Sequence, residues 1–179
     1  LLNYNNLIGL PLSVFEVGEG TEAVVLEMGM DRPGEIHALA DIVRPDIGII
    51  TNIGLSHIEH LGTRENILKA KMEITDFFSA KNVLVFNTDN DLLATVESES
   101  RFRLVSTGKK EEAVLRIENV RDLGEEGIEF RLTGFGQTNV FRLGLPGIHN
   151  ASNAALAVAA AMELGITMEE AAQGLSKLS

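Results

Sequence analysis

A chain of 179 residues, 45% of them apolar, can bury one sizeable core, and its 26 acidic against 15 basic residues, a net charge of -11 with no local basic patch, disfavour nucleic acid and anionic membrane surfaces as partners. The absence of cysteine excludes disulfides and thiolate zinc sites. The longest apolar stretch, residues 154–162, falls far short of the roughly 18 residues of a membrane span, and no signal sequence opens the chain, so a cytoplasmic protein is expected.

The opening Leu1-Leu2-Asn3-Tyr4-Asn5-Asn6 has no initiator Met, no helix start and no strand alternation, and reads as a cut end. Three apolar runs then carry the signature of strands buried on both faces: residues 23–26, 47–50 and 83–86. Each ends in polar residues (Glu27; Thr51-Asn52; Asn87-Thr88-Asp89), and in open α/β sheets ligands sit at the carboxyl ends of strands. Helices are expected between them, over 34–44 after Pro33 and over 63–80, where Thr63-Arg64-Glu65-Asn66 can cap an apolar-periodic run. The order reads βαβαβ with parallel pairing.

After Asp91 the texture changes. Residues 102–105, 114–117, 128–132 and 140–143 alternate apolar with polar and read as half-exposed antiparallel strands joined by Gly-rich turns. Gly134-Phe135-Gly136 is turn material rather than a dinucleotide fingerprint, because no helix follows. Helices are expected over 150–164 and 168–178, with Gly165 ending the first and Thr167 capping the second. The expected architecture is one α/β domain: a parallel part over 1–91, a small antiparallel β subdomain over 92–146, and helices over 147–179.

Four places carry residues suited to chemistry. Glu27, beside Met28-Gly29, puts a carboxylate at a strand mouth, where it serves either a metal or a neighbouring loop. Thr51-Asn52-Ile53-Gly54-Leu55-Ser56-His57-Ile58-Glu59-His60 gathers an amide, two imidazoles and a carboxylate past a second strand end, and one of the two histidines is expected to bind something. Lys71, within Lys69-Ala70-Lys71-Met72-Glu73-Ile74, reads on its own as a solvated helix lysine. Asn150 and Asn153 share a face of a helix's first turn; capping accounts for Asn150 but not for Asn153, and amides so placed can read a base edge.

In this order and at these spacings the segments resemble the central, ATP-binding domain of the Mur ligases over essentially the whole chain. The run from Asn3-Tyr4-Asn5-Asn6 to Leu12, the pairing of Glu27-Met28-Gly29 with Gly34-Glu35-Ile36, and Lys69 to Ile74 are most similar to the branch that adds D-alanyl-D-alanine. The resemblance implies a P-loop NTPase-like fold and a set of roles. Glu27 would hold the Mg²⁺ that bridges the ATP phosphates, His57 would hold a second Mg²⁺, and Lys71 would be carbamylated by CO₂ and complete the metal set, with His57 and Lys71 catalytic. Asn150 and Asn153 would contact adenine, and Asn6 and Asn52 would complete the cofactor site. ATP would activate the terminal carboxylate of UDP-MurNAc-tripeptide as an acyl phosphate for attack by D-alanyl-D-alanine. No Gly-x-x-x-x-Gly-Lys-[Ser/Thr] occurs in the chain. The phosphate loop, with the first strand and helix, is therefore expected upstream of Leu1, and separate N- and C-terminal domains are expected in the intact protein. Alone, the chain is expected to be inactive. Two alternatives stand beside this reading: another Mur or folylpolyglutamate synthase-like ligase, and a non-catalytic α/β module that binds metal or nucleotide at the Glu27/His57 edge.

Overall fold

The computed structural model describes residues 4–97 and 101–178. Six strands form one sheet in the order β1 (Ile47–Ile50), β2 (Val83–Asn87), β3 (Arg103–Gly108), β4 (Leu115–Asp122), β5 (Ile128–Gly134), β6 (Gln137–Leu143). The first three pairings are parallel and the last two antiparallel. The antiparallel strands thus continue the parallel sheet at one edge.

Alternation along β2 sorts the helices onto two faces. Val83 and Val85 point into a core with α5 (Asn150–Glu163) and α6 (Met168–Leu175). Leu84 and Phe86 point into a second core with α1 (Gly9–Phe15), α2 (Glu35–Val43), α3 (Ile58–Leu61) and α4 (Arg64–Met72). Helix α5 buries Ala151, Ala154, Ala155 and Ala159, and side chains this short let its backbone lie close to the strands. The α6 start is closed by a capping box, in which Thr167 accepts from the Glu170 N–H and Glu170 accepts from the Thr167 N–H. Gly165, at φ 86°, takes the left-handed turn out of α5.

Four expectations are corrected. Residues 23–26 belong to no strand, and Val25 is 93% exposed. It is the next alternate set, Leu26, Met28 and Met30, that packs on the α1/α2 core, so the segment buries one side only and turns Glu27 outward. Residues 102–105 do not begin an antiparallel ribbon: β3 lies between β2 and β4, parallel to both. Its polar residues mislead because they have partners, Arg103 with Glu163 and Ser106 Oγ with the Val114 N–H. Of the opening, Leu1 to Asn3 lie outside the described residues, but Asn6 does carry a helix start: its Oδ1 accepts from the Ile8 and Gly9 N–H groups at 3.0 and 2.9 Å and leads into α1. Finally, the helix expected over 63–80 begins as read, with Thr63 Oγ1 accepting from the Asn66 N–H, but its α-helical part stops at Met72 and a 3-10 turn, Glu73–Thr75, follows.

Candidate functional site

The carboxyl ends of β1 and β2 open onto the loops that carry the candidate residues. The loop after β1 is fixed by side chains from elsewhere. Lys71, in the last turn of α4, donates from Nζ to the Asn52 carbonyl at 2.9 Å. Arg64, in the first turn, donates to the Ile53 carbonyl at 3.0 Å, and Asn90, beyond β2, donates to Asn52 Oδ1 at 2.7 Å. Lys71 is half-buried, and burial pushes its pKa below the ordinary lysine value, which favours the neutral amine. Among the described residues no carboxylate holds it as an ammonium: the Glu73 carboxylate instead accepts from the Gly34 and His37 N–H groups and so faces the N-terminal end of α2.

Glu27 is exposed, and Asn5 Nδ2 donates to its Oε1 at 2.9 Å. The Asn5 carbonyl in turn accepts from the Gly29 N–H at 2.7 Å, so one asparagine spans the Glu27-Met28-Gly29 turn. His57 adopts a left-handed conformation, φ 64°, and its Nδ1 lies 3.0 Å from Asp31 Oδ1. A proton on Nδ1 leaves the Nε2 lone pair available to a metal, the usual way a carboxylate orients a ligating histidine. His60 is exposed, with Nε2 3.9 Å from Glu59. At the start of α5, Asn150 Nδ2 donates to the Pro146 carbonyl and Asn153 Nδ2 reaches Asn150 Oδ1 at 3.4 Å, so the two amides do share one face.

The structure therefore brings Lys71 to Asn52 and Asn150 to Asn153, and gives Glu27 and His57 separate partners. Among the described residues, no three His, Cys, Asp or Glu side chains gather closely enough to hold a metal. A groove of about 760 Å³ between β6 and α6, lined by Thr138, Arg142, Glu169 and Gln173 among others, includes none of the candidate residues. Sequence reasoning missed Asn5, Asp31, Asn90 and Asp91. Asn5 sits beside Asn6, and only the alternation that faces Glu27 outward distinguishes the two; Asp31 and Asn90 are common loop residues whose partners lie far off in sequence.

Comparison with known proteins gives a consistent result. The sequence profile of the Mur ligase middle domain matches residues 1–161. The chain is 42% identical over 176 residues to the UDP-N-acetylmuramoyl-tripeptide--D-alanyl-D-alanine ligase of Bacillus subtilis, covering 98% of this chain and 37% of that protein. It is 33% identical over 177 residues to the enzyme of that name from Synechocystis, covering 97% and 36%. A crystal structure of MurF from Acinetobacter baumannii superposes with a TM-score of 0.91 at 28% identity, covering all of this chain and 39% of that one. MurF ligase from Thermotoga maritima, solved in complex with ADP, gives 0.79 at 28% identity, covering 96% and 39%. The chain spans little more than a third of these relatives.

Proposed function

Since the chain belongs to the Mur ligase family, as its middle domain, we propose that the full-length protein is a cytoplasmic, ATP-dependent amide ligase of peptidoglycan precursor synthesis that joins D-alanyl-D-alanine to UDP-MurNAc-tripeptide. The similarity that favours this branch is the 42% identity to a ligase of that name over nearly the whole chain. Substrate-binding segments beyond this chain would complete the enzyme.

The observation that carries the mechanism is the seat of Lys71. A hard cation such as Mg²⁺ takes oxygen ligands, and an ammonium offers none. Glu27 supplies an oxygen anion, but among the described residues no cluster of acidic or imidazole side chains completes a metal site. Lys71 fits the missing part in one chemical form, the carbamate made from its neutral amine and CO₂. That form keeps one N–H on Nζ, so the bond to the Asn52 carbonyl can persist while two carboxylate oxygens face away from it. When bound, Mg²⁺ and ATP supply charge neutralisation and the phosphoryl group that activates the substrate carboxylate.

This chain's own residues then hold and align. Asn5 orients the Glu27 carboxylate, Asp31 orients His57 with Nε2 outward, and Asn150 and Asn153 offer amide edges to adenine. Asn6 presents its amide NH₂ to the nucleotide while its oxygen caps α1. The test is ADP release by the full-length protein. Release that requires both UDP-MurNAc-tripeptide and D-alanyl-D-alanine is expected; release with another amino acid in place of the dipeptide, or none, overturns the assignment.

A further inference from the structure

The two residues after Thr51 are held by a directional set of hydrogen bonds. Ile53 is 1% exposed, and its carbonyl accepts from Arg64 at 3.0 Å and from Asn90 Nδ2 at 3.2 Å. The Asn52 carbonyl accepts from Lys71, and Asn52 Oδ1 accepts from Asn90 Nδ2 at 2.7 Å. Arg64 also grips the Asp91 carboxylate through both terminal nitrogens, which pins the turn carrying Asn90 to α4.

The direction originates at Leu93. A main-chain N–H can only donate, and that of Leu93 donates to Asn90 Oδ1 at 3.0 Å. The oxygen end of the Asn90 amide is thereby committed, so the end facing Asn52 is the NH₂. Whatever Asn52 presents to an NH₂ must accept, which commits Asn52 Oδ1 in turn. The Asn52 NH₂ is left on the far side of an exposed side chain, with no partner among the described residues.

We propose that Asn90 is a positioning residue that fixes Asn52 as a hydrogen-bond donor, so that Asn52 takes a phosphoryl oxygen of the nucleotide and not a cation. An amide turned the other way would present its carbonyl oxygen, a ligand for Mg²⁺; with NH₂ outward it repels the cation and suits an anion. Asn52 then aligns two groups at once: its main-chain carbonyl seats Lys71 and its side chain receives the phosphate. This inference rests on the proposed reading that the edge after β1 binds ATP.

The test uses the full-length protein and a β,γ-imido ATP analogue, with affinity read by calorimetry. Asn90→Asp keeps an acceptor for the Leu93 N–H but offers Asn52 a second acceptor, which turns its amide over. Affinity should fall about tenfold or more, in line with loss of a hydrogen bond to a charged group, and the thermal midpoint should fall as well, because the new carboxylate also faces the Ile53 carbonyl. Asn90→Ser, which can still cap Leu93 but cannot reach Asn52, should give a smaller loss and serves if the first variant folds poorly. Asn52→Ala combined with the neutral Asn90→Ser should bind no worse than Asn52→Ala alone, because the Asn90 amide reaches the nucleotide through Asn52. The Asn52 side-chain amide signals should shift on adding the analogue to the parent and not to Asn90→Asp. Unchanged affinity in Asn90→Asp, or penalties that add in the double variant, overturns the inference. A parent that binds the analogue in this way but ligates nothing overturns the proposed function and leaves the role of Asn90 standing.

Discussion

Lys71 Nζ and the Asn52 carbonyl meet at 2.9 Å, so that the last turn of α4 and the exit of β1 share one hydrogen bond at the edge where the candidate residues lie. A carbonyl accepts equally from an ammonium or from the N–H of a carbamate, so this contact positions Lys71 without fixing its charge. Burial lowers the lysine pKa and so raises the share of neutral amine that CO₂ requires.

Replacing Lys71 by Ala in the full-length protein should therefore lower ligation on the order of a thousandfold, the scale of losing a preorganised electrostatic group. Millimolar short-chain carboxylate should restore part of it. At fixed dissolved CO₂ the carbamate should accumulate as pH rises through the lowered pKa and disappear on acidification, which the ¹³C resonance of the carbamate formed from labelled bicarbonate tracks. Wild-type turnover in Lys71→Ala would leave the lysine a structural role only.

Gly29 tests the Asn5–Glu27 contact. A methyl group there would lie 3.0 Å from the Asn5 Cγ and Nδ2, so the amide must give by a few tenths of an ångström, which loosens its bond to Glu27. Because the obstacle is a side-chain end and not backbone, Gly29→Ala should leave the thermal midpoint almost in place while raising the Mg²⁺ concentration for half-maximal ADP release several-fold. A large loss of stability with unchanged Mg²⁺ dependence would assign Asn5 to folding alone.

The Asn6 amide oxygen is committed, and its NH₂ has no partner among the described residues. Asn6→Asp keeps the acceptor that caps α1 and removes the NH₂, so it should hold stability and weaken nucleotide binding. Asn6→Ala loses both, and should also cost about 1 kcal/mol in chemical denaturation, as helix caps do. Equal nucleotide affinity in parent and Asn6→Asp would reduce Asn6 to a cap.

What the sequence disclosed and what it concealed follow from the range of the interactions. Strands β1 and β2, the Thr63 and Thr167 caps and the shared face of Asn150 and Asn153 depend on residues within a few positions of one another, and all were legible. The place of β3 was not, because Arg103 is matched by Glu163, 60 residues away, and hides a central strand behind a polar residue. The segment before Glu27 reads as a strand buried on both faces but joins no strand and buries one side only, since four consecutive apolar residues show neither a pairing partner nor which alternate set faces the core. Asn90 was invisible for the same reason as β3: its partners, Asn52 and Ile53, lie 38 and 37 residues back.

The Arg64–Asp91 pair carries a pH signature that can be isolated by one substitution. Hydrogen bonds from Arg64 hold the Asp91 carboxyl below the usual carboxylate range. A carboxyl whose folded pKa lies below its unfolded value binds fewer protons in the native state. Its stabilisation is therefore complete above the unfolded value, near 3.8, and is lost as pH falls through the folded one. Asp91→Asn removes the titration but leaves an oxygen for Arg64, so parent and variant should differ in stability at about pH 7 and converge by about pH 2 in chemical denaturation. The pair is solvent-exposed, so added salt should narrow the gap at neutral pH. The gap has a functional counterpart, because Asp91 adjoins Asn90. If Arg64 holds the turn for Asn90, Asp91→Asn should weaken nucleotide binding less than Asn90→Asp does, and Arg64→Ala, which also takes a donor from the Ile53 carbonyl, should weaken it more than Asp91→Asn. The reverse order would show that Arg64 and Asp91 stabilise α4 without transmitting anything to the loop after β1.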